Sequence, residues 1–169
     1  MTIRPLNPND APRYRELRLS ALRELTPAFG TLAEEEESVP SDELAMRLIE
    51  TPDHCILGCF EDSTLNGMLQ FTRYSGAAER HRAFLAGMYV DPKSRGKGFG
   101  KALLQAALGR ARSDSELKHL NLTVVTGQQT AIRLYESAGF CVYATDREAF
   151  SRNGQYYDEH LMRLELRHA

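Results

Sequence analysis

The segment Val90-Asp91-Pro92-Lys93-Ser94-Arg95-Gly96-Lys97-Gly98-Phe99-Gly100-Lys101 constrains the fold of this chain more than any other. It joins an apolar run, Ala83 to Val90, to a stretch with Phe99, Leu103, Ala106 and Ala107 on one helical face. The pattern is strand, glycine turn and a helix from about Gly98 to Arg112, followed by a further strand, Leu117 to Val125. A helix between two strands makes a crossover, which lets those strands lie parallel in one sheet. The runs before it behave differently. His54 to Phe60 and Leu65 to Tyr74 are separated around Asp62-Ser63, as in an antiparallel hairpin, and two last strands flank the hairpin dipeptide Asn153-Gly154. These signals imply a mixed, mostly antiparallel sheet flanked by helices.

The remaining elements fit around that sheet. Thr2 to Leu6 forms a short first strand, and Asp10 is the expected N-cap of a helix whose apolar positions Tyr14, Leu17, Ala21 and Leu25 recur at helical spacing up to the Pro27 region. Residues 26 to 40, with Pro27, Gly30 and Pro40 around Glu34-Glu35-Glu36-Glu37, form a loop or an irregular helical turn. Ser41 opens a second short helix, with Leu44, Leu48 and Ile49 on one side and Pro52 beyond its end. The final helix ends at Gly139. The order β-α-α-β-β-β-α-β-α-β-β places the chain in the α/β class in its α+β form. Its 169 residues suit one hydrophobic core, so the expected organisation is a single domain over 1–169.

Composition narrows the function. A net charge of −2 argues against a surface built for nucleic acid, and any anion site must be local. The longest stretch without Asp, Glu, Lys or Arg, His119 to Ile132, is too short and too polar to cross a membrane as a helix. Met1-Thr2-Ile3-Arg4-Pro5 carries no secretory signal, so the expected location is cytoplasmic. Cys55 and Cys59 read as core thiols, and the scattered histidines His54, His81, His119, His160 and His168 lack metal-ligand spacing; no metal is expected.

The chain has only four lysines, and Lys93, Lys97 and Lys101 fall beside Arg95 in the glycine turn. Glycines at 96, 98 and 100 leave room for backbone N–H groups to wrap an oxyanion at a helix N-terminus. A phosphate or pyrophosphate fits that chemistry, while the plainer alternative is a tight turn whose lysines are merely solvated. A Walker loop would need glycine at Arg95 and a hydroxyl at Ala102; a dinucleotide fingerprint beginning at Gly96 would need a small residue at Lys101. What survives is R-x-x-G-x-G.

That motif, Arg95 to Gly100, resembles the acetyl-CoA motif of the GNAT superfamily of N-acetyltransferases, and Met88-Tyr89-Val90-Asp91-Pro92 is similar to the family's approach to it. Downstream, Ala131-Ile132-Arg133-Leu134-Tyr135-Glu136-Ser137-Ala138-Gly139-Phe140 resembles the family's A-x-x-L-Y-x-x-x-G-F segment. The resemblance implies two splayed central strands, with the pantetheine arm of acetyl-CoA against the backbone of Met88, Tyr89 and Val90. It places the pyrophosphate on Arg95, Gly96, Lys97, Gly98, Phe99, Gly100 and Lys101. Gln128, where members commonly have asparagine, and Arg133 join the implied cofactor-binding set.

The implied reaction is direct acetyl transfer from acetyl-CoA to a primary amine in a ternary complex, without metal. Tyr135 is the implied acid for the leaving thiolate, against the alternative that it only packs in a helical stripe. Glu34 and Glu35 are candidate acceptor-binding residues, against a solvated acid run. Glu79, His81 and His160 are weighed as bases and none is chosen. The acceptor is a small-molecule or peptide amine, with no nucleic acid or membrane partner, and the terminal strands leave a homodimer open. The competing function is a non-catalytic acyl-CoA-binding or interaction module of the same fold.

Overall fold

The computed structural model describes residues 1–24 and 30–166. Strands β1 (Thr2–Pro5), β2 (His54–Glu61), β3 (Thr64–Arg73), β4 (Arg82–Val90), β5 (His119–Val125), β6 (Cys141–Arg152) and β7 (Gln155–Glu165) form one sheet. Its seven strands lie in the order β1-β2-β3-β4-β5-β7-β6. Among these strands β4 and β5 run parallel and all other neighbours antiparallel, the mixed α+β arrangement that one crossover among hairpins requires. The helices are α1 (Ala11–Glu24), α2 (Ala33–Glu37), α3 (Ser41–Arg47), α4 (Phe99–Arg112) and α5 (Gln129–Ser137). Asp62-Ser63 and Asn153-Gly154 turn their hairpins with positive φ at both residues, as tight two-residue connections demand.

Local chemistry shifts several expected boundaries. The acid run holds the short helix α2, because the Glu35 carboxylate accepts the Leu32 N–H at 2.9 Å and closes its first turn. Asp10 does not simply cap α1. Its carboxylate is buried, paired with Arg4 at 2.7 and 2.9 Å, and accepts the Asn7 N–H at 3.0 Å, while Asn7 caps the 3₁₀ turn before α1. Helix α3 stops at Arg47, so Leu44 and Leu48 are buried but Ile49 is turned out, 48% exposed. Leu25 and Pro27 lie outside the described residues.

The sheet separates two cores. Helices α4 and α5 cover Leu57, Leu69, Phe71, Leu85, Leu120 and Leu122 on one face; α1 and α3 cover Ile56 and Met68 on the other. Each fully buried aliphatic or aromatic side chain contributes about 1.5–3 kcal/mol relative to exposure, so both layers are held mainly by apolar burial. On β5, Leu120, Leu122 and Val124 face α4 and α5, and strand alternation sends Asn121, Thr123 and Val125 to the α1 side. On β4 the alternation reverses partway. Ala83 and Leu85 face α4, yet farther along Met88 and Val90 do so and Tyr89 faces α1. The cause is a β-bulge: Met68 pairs with Tyr89 but Gln70 with Ala86, leaving one extra residue in β4 at Gly87, whose φ is +60°.

Candidate active site

Beyond Phe84, before the bulge at Gly87, β4 and β5 part. They pair only at Arg82–His119, Ala83–Leu120 and Phe84–Asn121, after which β3 holds β4 as far as Val90 and β7 holds β5 as far as Val125. The gap is a cleft of about 290 Å³ lined by residues from both faces of the sheet. Gln128, Ala131 and Tyr135 reach it from the α5 side. Tyr14 and Arg18 reach it from α1, and Thr123 and Glu159 from the same side of the sheet. The open edges of β4 and β5 are unused backbone against which an extended ligand can pair.

Tyr135 is buried on α5 beside Phe140, with ring centroids 6.0 Å apart. Its hydroxyl donates to Met88 Sδ at 3.3 Å, so the phenol reaches from α5 to β4. Burial pushes the phenol up to about 12, which keeps it protonated across the neutral range. On the same helix Arg133 is exposed, and Gln128 caps the helix and lines the cleft.

Past Val90, the Asp91 side chain accepts the Lys93 N–H at 2.9 Å and fixes a 3₁₀ turn over Pro92–Ser94. Gly98, with φ +85°, then caps α4, and the Ala102 N–H donates to Gly98 O at 3.0 Å. The N–H groups of Phe99, Gly100 and Lys101 precede that first helical bond and are the donors a helix N-terminus leaves for an anion. Lys93 and Lys101 are exposed around them, and Lys97 lies 3.6 Å from Glu61.

Arg95 and Tyr89 make a different connection. Arg95 pairs with Glu24 at 2.7 Å and donates to Val90 O at 3.1 Å, and the buried Tyr89 hydroxyl donates to the other Glu24 oxygen at 2.6 Å. Burial works to raise the Glu24 carboxyl, but the bonds from Arg95 and Tyr89 outweigh it and hold it below the ordinary range. The end of α1 is thereby tied to the glycine turn. The Tyr89 side chain faces α1, so its backbone is what it offers to the cleft.

A second pocket of about 550 Å³ shares Tyr14, Arg18, Thr31, Ile56 and Gln70 with the cleft and is lined by residues of α2 and α3. Of the acid run, Glu35 and the buried Glu36 line this pocket, while Glu34 is exposed and lines neither cavity. The Glu36 carboxylate lies 3.9 Å from Arg18 and 3.8 Å from Arg47, and its Oε1 has no hydrogen-bond partner among the described residues.

The bases weighed from sequence lie elsewhere. Glu79 is exposed beside Arg82, the His81 ring meets His119, and His160 bonds Thr145 at 2.9 Å; none of the three lines the cleft. Glu159 does, and is the one carboxylate among the described residues that does so. Its position was hidden because the sequence does not reveal that β7, rather than β6, borders β5. Arg18 was hidden for a similar reason: the face it takes on α1 has meaning only once α1 is laid across the splay.

These features belong to a known class. Residues 18–140 match the model of the acetyltransferase (GNAT) family, and the chain belongs to that family. It is 32% identical over 80 residues to the Escherichia coli L-amino acid N-acyltransferase MnaT, covering 47% of this chain and 45% of that one. It is 46% identical over 65 residues to a mycothiol acetyltransferase of Acidothermus cellulolyticus, covering 38% of this chain but 19% of that protein. The chain thus matches less than half the length of these curated relatives. The fold is that of the Salmonella typhimurium yncA protein solved with its cofactor acetyl-CoA, at a TM-score of 0.83 and 24% identity, covering 100% of this chain and 95% of that one.

Proposed function

We propose that this chain, acting as one domain over residues 1–169, transfers an acetyl group from acetyl-CoA to a primary amine by direct attack in a ternary complex. The observation that carries the reading is the cleft between β4 and β5, where the Tyr135 hydroxyl reaches Met88 on the strand that runs into the glycine turn. The unpaired edge at Met88, Tyr89 and Val90 suits the amide-bearing pantetheine arm. The N–H groups at the start of α4, with Lys93, Lys97 and Lys101, suit its pyrophosphate. Gly96 and Gly98 have open space where a Cβ would stand, so phosphate oxygens can approach the backbone. Arg95 keeps the turn in place through Glu24, Gln128 borders the arm in the cleft, and Arg133 adds a positive charge at the surface of α5.

Tyr135 donates its proton as the thiolate leaves. Direct attack is favoured over a covalent intermediate because no cysteine lines the cleft among the described residues and burial pushes the Cys59 thiol up to about 11. The acceptor enters from the α1 side through the second pocket, where Glu35 and Glu36 offer carboxylates; Glu34 contributes only at the surface. An amine acceptor agrees with the relative MnaT being an L-amino acid N-acyltransferase. The test is a panel of amino acids, polyamines and peptides with acetyl-CoA, following free CoA thiol and product mass. Turnover of at least one amine supports the reading, and acetyl-CoA binding without turnover of any amine supports the binding-module alternative instead.

A further inference from the structure

We propose that Glu159 is the general base of this reaction, taking a proton from the acceptor amine on the α1 side of the sheet while Tyr135 serves the departing thiol on the α5 side. The inference rests on the acetyl-transfer reading above and assigns the one catalytic role left without a residue. Its first support is placement. Register pairs Val125 with Glu159 and Val124 with His160, and since Val124 faces α5, the Glu159 side chain projects to the opposite side with Thr123. Tyr135 and Met88 occupy the α5 side of the same cleft. An amine entering from α1 therefore meets a carboxylate, and a thiolate leaving toward α5 meets a phenol.

The second support is environment. Asp146 is the cross-strand neighbour of Glu159 on β6, and the other ionisable groups lining the same cleft are Tyr14 and Arg18 from α1 and Tyr135 from α5. Burial and the Asp146 charge push the Glu159 carboxyl up, and a hydrogen bond with Thr123 acts in the other direction. A raised carboxyl binds a proton more readily than an ordinary glutamate and still releases it to water. The remaining task is large: an alkyl ammonium with a pKa of about 10.4 is almost wholly protonated at neutral pH.

The protons balance. Glu159 takes one from the ammonium and passes it to solvent, and the neutral nitrogen attacks the thioester carbonyl. The C–N bond forms, the C–S bond breaks, and the thiolate takes the Tyr135 proton. A second proton, lost from the acylated nitrogen, restores the phenol, leaving an amide, a CoA thiol and one released proton.

The experiment compares the parental protein with Glu159→Gln and Glu159→Asp, using an amine that the parental protein acetylates. Expected for Glu159→Gln is a kcat lower by about 10²-fold or more near neutral pH, with unchanged acetyl-CoA affinity by calorimetry and an unchanged melting profile. The deficit should shrink from about pH 7 toward about pH 10, because the amine increasingly ionises by itself. Glu159→Asp should recover part of the rate. A parental kcat in Glu159→Gln overturns the proposal, as does a rise confined to the amine KM or a deficit that stays constant with pH. Loss of acetyl-CoA binding in the variant also overturns it, by making Glu159 a structural or cofactor-side group. If the parental protein acetylates no amine, the acetyl-transfer reading fails and this role fails with it.

Discussion

Tyr135→Phe separates chemistry from packing, because the ring that meets Phe140 remains and only the hydroxyl 3.3 Å from Met88 Sδ is removed. The expected loss follows from the surroundings of the phenol. Burial holds its pKa at about 12. A thiol in water ionises near about 8.5, and a mismatch of roughly 3.5 units makes complete proton transfer uphill by ~5 kcal/mol. Burial beside the Tyr135 hydroxyl would raise the pKa of a thiolate for the same reason that it raises the phenol, so the mismatch narrows there. In the proposed mechanism the hydroxyl therefore acts late, as the C–S bond opens. We expect kcat to fall by about 10²–10³-fold, or ~2.7–4 kcal/mol, toward the lower part of the range for general acid catalysis. Thermal stability should move by no more than about 1 kcal/mol, since one neutral hydrogen bond contributes about that much. The assay is single-turnover release of free CoA thiol with a competent amine, which prevents slow product release from masking the step. A parental single-turnover rate refutes the reasoning. So does a rate loss matched by an equal loss of acetyl-CoA affinity, which would make the hydroxyl a binding group.

Gly98→Val should weaken acetyl-CoA binding at least about tenfold by calorimetry and cost ~1–2 kcal/mol in stability, since φ at that position is +85°; unchanged affinity in a folded variant removes the glycine turn from the cofactor site. Glu36→Gln should lower the denaturation midpoint by the equivalent of ~1–3 kcal/mol, because Arg18 and Arg47 lose the buried carboxylate between them; an unchanged midpoint would leave that carboxylate without a structural role. Asp10 has its carboxyl held below the ordinary range, chiefly by its hydrogen bonds to Arg4. Its contribution is therefore fully present above the unfolded pKa of about 3.9 and disappears as pH falls through the lower folded value. Asp10→Asn should reduce the acid sensitivity of the melting temperature in that window, and identical slopes for parent and variant would contradict the assignment.

The elements proposed for the cofactor side were far more legible in the sequence than those proposed for the acceptor side. The glycine turn and the Tyr135 segment are contiguous stretches whose residues sit side by side however the sheet is ordered, so their spacing could be read directly. Glu159, Thr123 and Arg18 come from three distant elements and share a cleft only because β7 inserts between β5 and β6 and α1 crosses the opposite face. Nothing in the alternation of Tyr157 to Glu165 distinguishes an edge strand from an inner one. The acid run shows the same limit at smaller scale. Four consecutive glutamates are equivalent in sequence, and only the one-turn helix Ala33–Glu37 decides that Glu36 is buried, Glu35 is exposed at the rim of the second pocket and Glu34 faces away from both cavities.

The bulge at Gly87 links the fold to the proposed division of labour. With uninterrupted alternation after Ala83 and Leu85, residue 89 would face α4 and α5 and residue 88 would face α1. Tyr89 would then compete with Tyr135 for the thiol side, and its bond to Glu24, which ties α1 to the glycine turn, would be lost. One extra residue reverses this, sending Met88 to the Tyr135 hydroxyl and Tyr89 to Glu24. The same irregularity bends the strand, and it lies where β4 has already left β5 but remains paired with β3. A continuous sheet would seal an amine on one face from a thioester on the other. In the proposed reaction the splay lets the amine reach the thioester carbonyl, and the bulge decides which side chains of β4 face each side of the cleft.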